Sequence, residues 1–266
     1  TNLLLTTNGV LVDEQVVQLC SENGVVVVVG LDGPREANNL GRIYPDGRGS
    51  FDDVRRAIAK LVRSGVHTCA SVAVTPYNLE HLEELPAFFG ELGVEKFGFN
   101  FLKGHRLLVL VREEEIDQYY RQASRSVIAS FRRSGRKDFE YQMEKKWRAF
   151  YERDFFPLDC TCYGSQLVVR PDGRLSNCPF SEVDLGRVGE IDPRFRIHET
   201  EVVQEWRKSL PLFHPAYRDC DAKSLCGGGC HWGWSEVYGE GAVDQGMKIF
   251  AEEVFNEFLG SGFPRR

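Results

Sequence analysis

Val25-Val26-Val27-Val28-Val29-Gly30-Leu31-Asp32-Gly33-Pro34 is the stretch that decides the fold. Five β-branched residues in a row leave no polar face. Such a run suits a strand buried on both sides, as in a parallel sheet covered by helices. The glycines and proline that follow end it in a turn. Upstream, Leu3 to Leu5 reads as a short apolar strand, part of a strand-like stretch over 2–6, and it stops at Thr7-Asn8-Gly9. Asp13 then opens a helix to about Glu22, with Val16, Val17, Leu19 and Cys20 on its apolar face and Asn23-Gly24 as its stop. Cys20 reads as a core residue.

Downstream, Arg35 to Gly49 is rich in glycine, asparagine and charge and reads as a loop. Ser50 is placed to cap a helix from Phe51 to about Ser64, with Val54, Ile58, Leu61 and Val62 as its stripe. Thr68 to Val74 is a strand. Asn78 would cap a helix to about Leu92, which Pro86 should kink or split. Lys96 to Leu102 is a further strand. Strands alternating with helices predict a parallel α/β sheet with right-handed crossovers. Asn8, Asp32, Thr75 and Asn100 fall at strand ends, the edge where α/β folds bind ligands. Each is also an ordinary turn residue.

Beyond the last strand the pattern turns helical, over Glu113 to Phe131 and Phe139 to Arg153, with a basic stretch Arg132 to Lys137 between them. The basic stretch reads as a solvated loop, or else as a contact for an acidic partner. From Cys160 the character changes again. Gln166 to Val169 and Arg174 to Ser176 flank a Pro171-Asp172-Gly173 turn and form a hairpin that delivers Cys178. Leu185 to Ile191 reads as one more short strand, Glu201 to Leu210 as a short helix, and 243–259 as a final amphipathic helix. The expected division is therefore a partial parallel (β/α) barrel over 1–111, a helical connector over 112–158, and a small α+β cysteine-rich domain over 159–266.

Six of the eight cysteines lie in that last region: Cys160, Cys162, Cys178, Cys220, Cys226 and Cys230. Thiolates gathered by turns suit soft metals and iron–sulfur clusters. Gly227 to Gly229 lets the backbone bend sharply between two of them. Disulfides, a structural zinc site and unliganded thiols compete with this reading. The paired C-x2-C knuckles usual for zinc are missing. The chain also lacks a secretory signal, and Cys20 and Cys69 stand alone in apolar stretches, so a reducing, cytoplasmic setting is expected. A net charge of −6 gives no electrostatic reason to expect nucleic acid. No apolar run is long enough to cross a membrane.

In several motifs taken together, the chain resembles radical S-adenosylmethionine (SAM) enzymes with a C-terminal SPASM or Twitch auxiliary-cluster domain. That group includes sulfatase-maturating enzymes and maturases of ribosomal peptides. Thr7-Asn8-Gly9-Val10-Leu11 resembles its TNG-x-L turn. Leu31-Asp32-Gly33-Pro34 resembles its SLDGP strand end, with Gly30 for the usual serine. Gly47-x-Gly49-Ser50-Phe51 and Val74-Thr75-Pro76-Tyr77-Asn78 also match. Gly173-x4-Cys178 and Cys220-x5-Cys226-x3-Cys230 resemble the auxiliary-cluster signature.

The resemblance implies a [4Fe–4S] auxiliary cluster on Cys162, Cys178 and Cys230 with Cys160 as a fourth ligand. It implies SAM contacts from Arg42, whose guanidinium suits a carboxylate, and from Asn8 and Asn100. It implies a peptide or protein substrate and an electron donor such as a flavodoxin or ferredoxin.

The departures are specific. The C-x3-C-x2-C motif of the catalytic cluster is absent, and Asn38-Asn39 replaces the His-Asp pair that precedes the family arginine. Tyr217 stands where the first cysteine of C-x2-C-x5-C-x3-C would fall, and no cysteine follows Cys230, although Asp244 lies near the expected position. These departures carry two expectations, an N-terminally truncated chain and a second auxiliary cluster that is lost, or whose two remaining thiols complete a single rearranged site. His231 reads as an exposed loop residue, or as one that hydrogen-bonds near the cluster, and Trp232 and Trp234 as cluster shields or core. The leading expectation is a radical SAM enzyme that modifies a peptide side chain by hydrogen abstraction. On its own this chain would not start the radical, because it lacks the catalytic cluster's ligands. The competing one is a non-catalytic iron–sulfur or zinc-stabilised module for peptide binding or electron transfer.

Overall fold

The computed structural model describes residues 3–155, 158–192, 194–239 and 241–260. Asn2, expected in the first strand, lies outside the described residues. Four strands, β1 (Leu4–Thr7), β2 (Val26–Gly30), β3 (Thr68–Val74) and β4 (Lys96–Phe101), form one parallel sheet in the order 1-2-3-4. The connections are α1 (Glu14–Glu22), the pair α2 (Arg35–Gly41) and α3 (Phe51–Arg63), and a tight turn over Leu79–Glu84 that runs into α4 (Leu85–Glu91). Helices α5 (His105–Leu110), α6 (Ile116–Ser134) and α7 (Tyr141–Trp147) follow. This is the expected α/β class, built as a strand–helix alternation on a parallel sheet.

The chain divides into two compact units, each made of two segments. One comprises residues 1–102 and 118–147, and the other 103–117 and 148–266. The stretch 112–158, expected as a connector, is shared between them.

In the first unit the core is Leu31, Ile58, Leu61, Val72, Leu82, Leu85 and Phe89, all fully buried. Val27 and Val29 of β2 are fully covered, whereas Val26 and Val28 are only partly so. Asp13 caps α1, its Oδ1 accepting from Val16 N at 2.9 Å. Pro86 sits in the first turn of α4, where its missing N–H costs nothing, and this is why the expected long helix is split there.

Three local expectations are corrected. Half of the supposed loop 35–49 is helix α2, which Pro34 introduces. Ser50 does not cap α3; its hydroxyl donates to Arg42 O, and Phe51 N donates to Asn39 Oδ1 instead. Asn78 makes no side-chain cap, because its amide is committed elsewhere, as described below.

Glu140 is an unexpected buried carboxylate beside β4. It accepts from Phe99 N, Gln142 N and Met143 N, so it ties the edge of the sheet to the start of α7. Burial pushes its pKa up to about 7. A carboxyl whose folded pKa is raised holds its proton more tightly when folded than when unfolded. Its stabilising contribution is therefore full below about pH 4.3 and is lost as pH rises toward 7. Glu140→Gln should flatten that decline, removing on the order of 3 kcal/mol of pH dependence across the window. Urea midpoints of both proteins at pH 4.5, 6 and 8 check this.

The second unit holds α5, the hairpin β5 (Val168–Val169) and β6 (Leu175–Ser176), then α8 (Glu201–Arg207), α9 (His231–Tyr238) and α10 (Gln245–Gly260). Phe150, Tyr151, Phe255 and Phe258 pack as one aromatic group. The expected strand over 185–191 is reduced to a single bridge between Arg174 and Arg187, since its two glycines favour turns over pairing. Among the described residues no helix is long and apolar enough to cross a membrane.

Candidate functional site

The first unit concentrates buried polar groups at the carboxyl edge of its sheet. Asp32, just past β2, is 6% exposed and is the hub. Its carboxylate accepts from Arg42 Nε at 2.7 Å, from Arg42 Nη2 at 2.8 Å and from Ala73 N at 2.8 Å. Its backbone N–H donates to Asn38 Oδ1, and its carbonyl accepts from Asn78 Nδ2, which also reaches Ala73 O. Asn38 and Asn78 are both fully buried. The Asn38 that departs from the family pair thus has a structural task. Gly30 has one as well, since a Cβ there would lie 2.9 Å from Arg42 Nη1. A serine at this position would require the guanidinium, the far end of a flexible side chain, to shift slightly.

Arg42 therefore sits at the expected edge, but two of its three nitrogens are engaged by Asp32 in a bidentate pair. Asn8 turns its Oδ1 back onto Val10 N at 3.2 Å. Asn100 donates to Ser71 Oγ at 3.0 Å and to Gly98 O.

In the second unit the six cysteines separate into two groups. Cys160, Cys162, Cys178 and Cys230 act on one another. Cys162 donates to the Cys160 sulfur, and this bond brings the Cys160 pKa down to about 6 while holding the Cys162 thiol well above its ordinary value, with burial and the Cys178 and Cys230 sulfurs adding to the rise. The Cys178 thiol is raised by burial, opposed by backbone N–H groups of Phe180 and Ser181 that donate to its sulfur. Cys230 is pushed up to about 11 by burial, and its sulfur accepts from Gly233 N at 3.3 Å. Sulfurs that receive backbone N–H donors are suited to the thiolate form. Around them pack Tyr163, Leu210, Leu158, Trp206 and Trp232.

Cys220 and Cys226 form the other group. The Cys220 thiol is directed at Glu252 Oε1 (3.8 Å) and the Cys226 thiol at Met247 O (3.9 Å). Tyr217 is fully buried beside them, and among the described residues its hydroxyl has no hydrogen-bond partner. Burial, then the neighbouring Cys226, Asp244 and Cys220, raises its pKa far above the ordinary tyrosine value. The residue occupying the first cysteine position thus meets the two remaining thiols, as the register of the motif predicts. Two thiols and a phenol do not make a four-thiolate site. Among the described residues, no three histidine, cysteine or acidic side chains stand close enough to hold one metal ion.

Three residues of this region carry more than their sequence signals. Asp244 is 2% exposed and caps α10, with Oδ1 accepting from Met247 N at 2.9 Å and Oδ2 from Cys230 N at 2.8 Å. Lys103 has no sequence motif beyond standing just after β4. Burial, the largest influence on its ammonium, acts to lower its pKa, yet Asp244, Cys230, Cys160 and Asp159 together raise it above the lysine range. His231 is corrected from an exposed loop position to the first residue of α9. It packs 4.6 Å from the Trp206 ring, its Nδ1 is 3.0 Å from Ser209 Oγ, and burial lowers its pKa to about 4. Trp232 stacks on Phe180 at 5.2 Å and covers the four-cysteine group, and Trp234 stacks on Tyr238.

No family model matches the chain. Cysteine-type anaerobic sulfatase-maturating enzymes from two strains of Clostridium perfringens are 27% and 28% identical to it, over 98% of this chain and 72% of theirs. Among solved structures, anSMEcpe with bound AdoMet and the Cp18Cys peptide has the same fold, with a TM-score of 0.76 at 23% identity. The match covers 96% of this chain and 74% of that one. Streptococcus suis SuiB bound to S-adenosylmethionine is more distant, with a TM-score of 0.53 at 14% identity over 92% of this chain and 59% of its own. By sequence along nearly its whole length, and by fold, the chain is a relative of the anaerobic sulfatase-maturating enzymes and resembles a radical SAM enzyme with a C-terminal SPASM or Twitch domain.

Proposed function

We propose that this chain works in radical SAM chemistry on a peptide or protein side chain, and that its cysteine-rich unit carries one auxiliary [4Fe–4S] cluster. The observation behind this reading is that Cys160, Cys162 and Cys178 pack into one cluster with Tyr163 and Leu210, while Gly233 N donates to the Cys230 sulfur; among the described residues no three of these thiols stand close enough to hold one metal ion, so they would have to draw together to hold a cluster. Those four thiols would hold the cluster. When bound, the cluster supplies one-electron oxidation and reduction. The chain's own residues do the rest. Gly233 N and the Phe180 and Ser181 amides fix the direction of the sulfurs, while Tyr163, Leu210 and Trp232 keep water away.

The peptide substrate is inferred from the relatives, whose names or bound ligands include sulfatase maturation and a peptide. SAM is assigned to the carboxyl edge of the sheet, with Asn8, Arg42 and Asn100 as its contacts. Arg42 would offer a SAM carboxylate its Nη1, which Asp32 does not engage, so none of the three contacts needs an ion pair broken. No C-x3-C-x2-C occurs in these 266 residues, so the radical-starting step is not carried by the chain's own cysteines. An electron donor of the flavodoxin or ferredoxin type and a cytoplasmic setting complete the proposal. Cys220, Cys226 and Tyr217 do not fit a second [4Fe–4S] cluster.

Protein purified and reconstituted without oxygen should contain about four iron and four sulfide per chain. Cys178→Ala should lose them, and Cys220→Ala should keep them. One zinc without sulfide would sink the cluster reading in favour of a zinc-stabilised binding module. Iron lost equally from both variants would show that the six cysteines act as one site.

A further inference from the structure

The second unit holds a cavity of about 450 Å³ that none of the cysteines lines. Its size falls within the roughly 300–1,000 Å³ usual for ligand sites. One wall is a face of α8 and its continuation, since Val202, Glu205, Trp206 and Ser209 recur at helical spacing, with Glu201 one turn before Glu205. His231, at the start of α9, is also on the lining. The Trp206 and His231 rings are 4.6 Å apart, and both residues are half-buried. Ser209 fixes the imidazole. Its hydroxyl donates to Trp206 O at 2.7 Å, so its oxygen accepts from His231 Nδ1, 3.0 Å away. That tautomer leaves Nε2 as an acceptor. Its hydrogen-bond neighbour, Ser235 Oγ, is 3.4 Å off, beyond the usual range.

We propose that this cavity takes a basic side chain, a guanidinium or an ammonium, from the peptide or protein on which the chain acts. The inference rests on the peptide reading above and adds a contact to it. The lining suits a cation in three ways. Glu201 and Glu205 bring two carboxylates one turn apart. Among the described residues Glu201 makes no ion pair, and Glu205 is paired with Lys208, three residues on. An exposed pair of that kind contributes little, so Glu205 can exchange its partner. The face of the Trp206 indole attracts positive charge. His231 Nε2 offers a lone pair, and burial, which lowers the ring's pKa to about 4, keeps it from adding an opposing charge. An anion would instead meet two carboxylates, with Lys208 already held by one of them.

The test is isothermal titration calorimetry of the full chain, reconstituted without oxygen and assayed for iron and sulfide, with two probes. One is a glycine–arginine–glycine tripeptide blocked at both ends. The other carries citrulline in place of arginine, which keeps the shape and removes the charge. The arginine probe should bind at least about fivefold more tightly than the citrulline probe. Glu201→Gln combined with Glu205→Gln should bring the two probes to within about twofold of each other. Both positions are exposed, so the variant should keep the wild-type urea midpoint. Equal binding of the two probes to the wild-type chain overturns the inference. A double variant that still prefers arginine by about fivefold also overturns it, because the preference then arises elsewhere on the surface. A chain that takes up iron and sulfide yet binds neither probe overturns this inference alone. A chain without a cluster that still separates the probes keeps the cavity assignment and overturns the radical SAM reading.

Discussion

Asp244→Ala should cost about 3–5 kcal/mol and release the iron of the reconstituted protein. Three losses coincide at this residue. The first is the cap of α10, where Oδ1 satisfies Met247 N at the third helical position. Replacing such a cap by alanine costs roughly 1–2 kcal/mol. The second is Cys230 N, which donates to Oδ2 at 2.8 Å and would be left buried without a partner. An orphaned buried N–H costs about 1–3 kcal/mol. The third is electrostatic, because Asp244 is the strongest of the acidic influences on Lys103. These terms share one site and are not additive, so the expected total lies below their sum. Asp244→Asn keeps the side chain's shape and one acceptor, and should cost about half as much. Urea unfolding of wild type and both variants measures this directly. A loss below about 1 kcal/mol in Asp244→Ala would show that the loop 226–230 holds its place without the carboxylate.

How much of this was legible in the chain depends on the range of the interaction. The valine run over 25–29, the Asp13 cap and the break at Pro86 are local events, set by side chains a few residues apart, and they emerge as expected. Tyr217 was legible through register, since it occupies a ligand position and is buried against Cys220 and Cys226. The stretch Arg35 to Gly49 was misread because its glycines and asparagines are poor helix formers. Asn38 is nonetheless held in α2 by a bond from Asp32 N, and Asn39 serves Phe51 N twelve residues on.

Asn78 and Ser50 carry the same lesson. Each has the composition of a cap, but its side-chain oxygen is engaged elsewhere: Asn78 Oδ1 accepts from Thr75 N, and the Ser50 hydroxyl donates to Arg42 O. Lys103 was invisible, since nothing near it in sequence marks it. Its neighbours Asp159, Cys160, Cys230 and Asp244 are more than fifty residues away, and only the folded unit brings them to it. Arg42 was found by spacing, yet its spacing does not reveal that Asp32 already holds it.

Gly227→Ala should be the most damaging of the glycine replacements in the cysteine loop, costing about 2–4 kcal/mol and lowering iron retention. Gly227 and Asp159 are joined in both directions. Asp159 N donates to Gly227 O, and Gly227 N donates to Asp159 Oδ2, both at 2.9 Å. This ties the residue before Cys160 to the residue after Cys226. A Cβ on Gly227 would fall on the backbone nitrogen of Asp159 and 2.6 Å from the carbonyl carbon of Leu158. Backbone atoms cannot swing aside as a side chain end can, so the two strands of the loop must part, carrying Cys160 away from Cys230. The glycine is required by close approach, since its φ is not in the left-handed region. Gly65→Ala is the matched control. There φ is +69° and a Cβ would meet nothing within 4 Å, so only the left-handed backbone is penalised, by roughly 1–2 kcal/mol. If Gly227→Ala is no worse than Gly65→Ala in urea midpoint, and keeps its iron, the loop tolerates separation and the Asp159 pairing is not what brings the two thiols together.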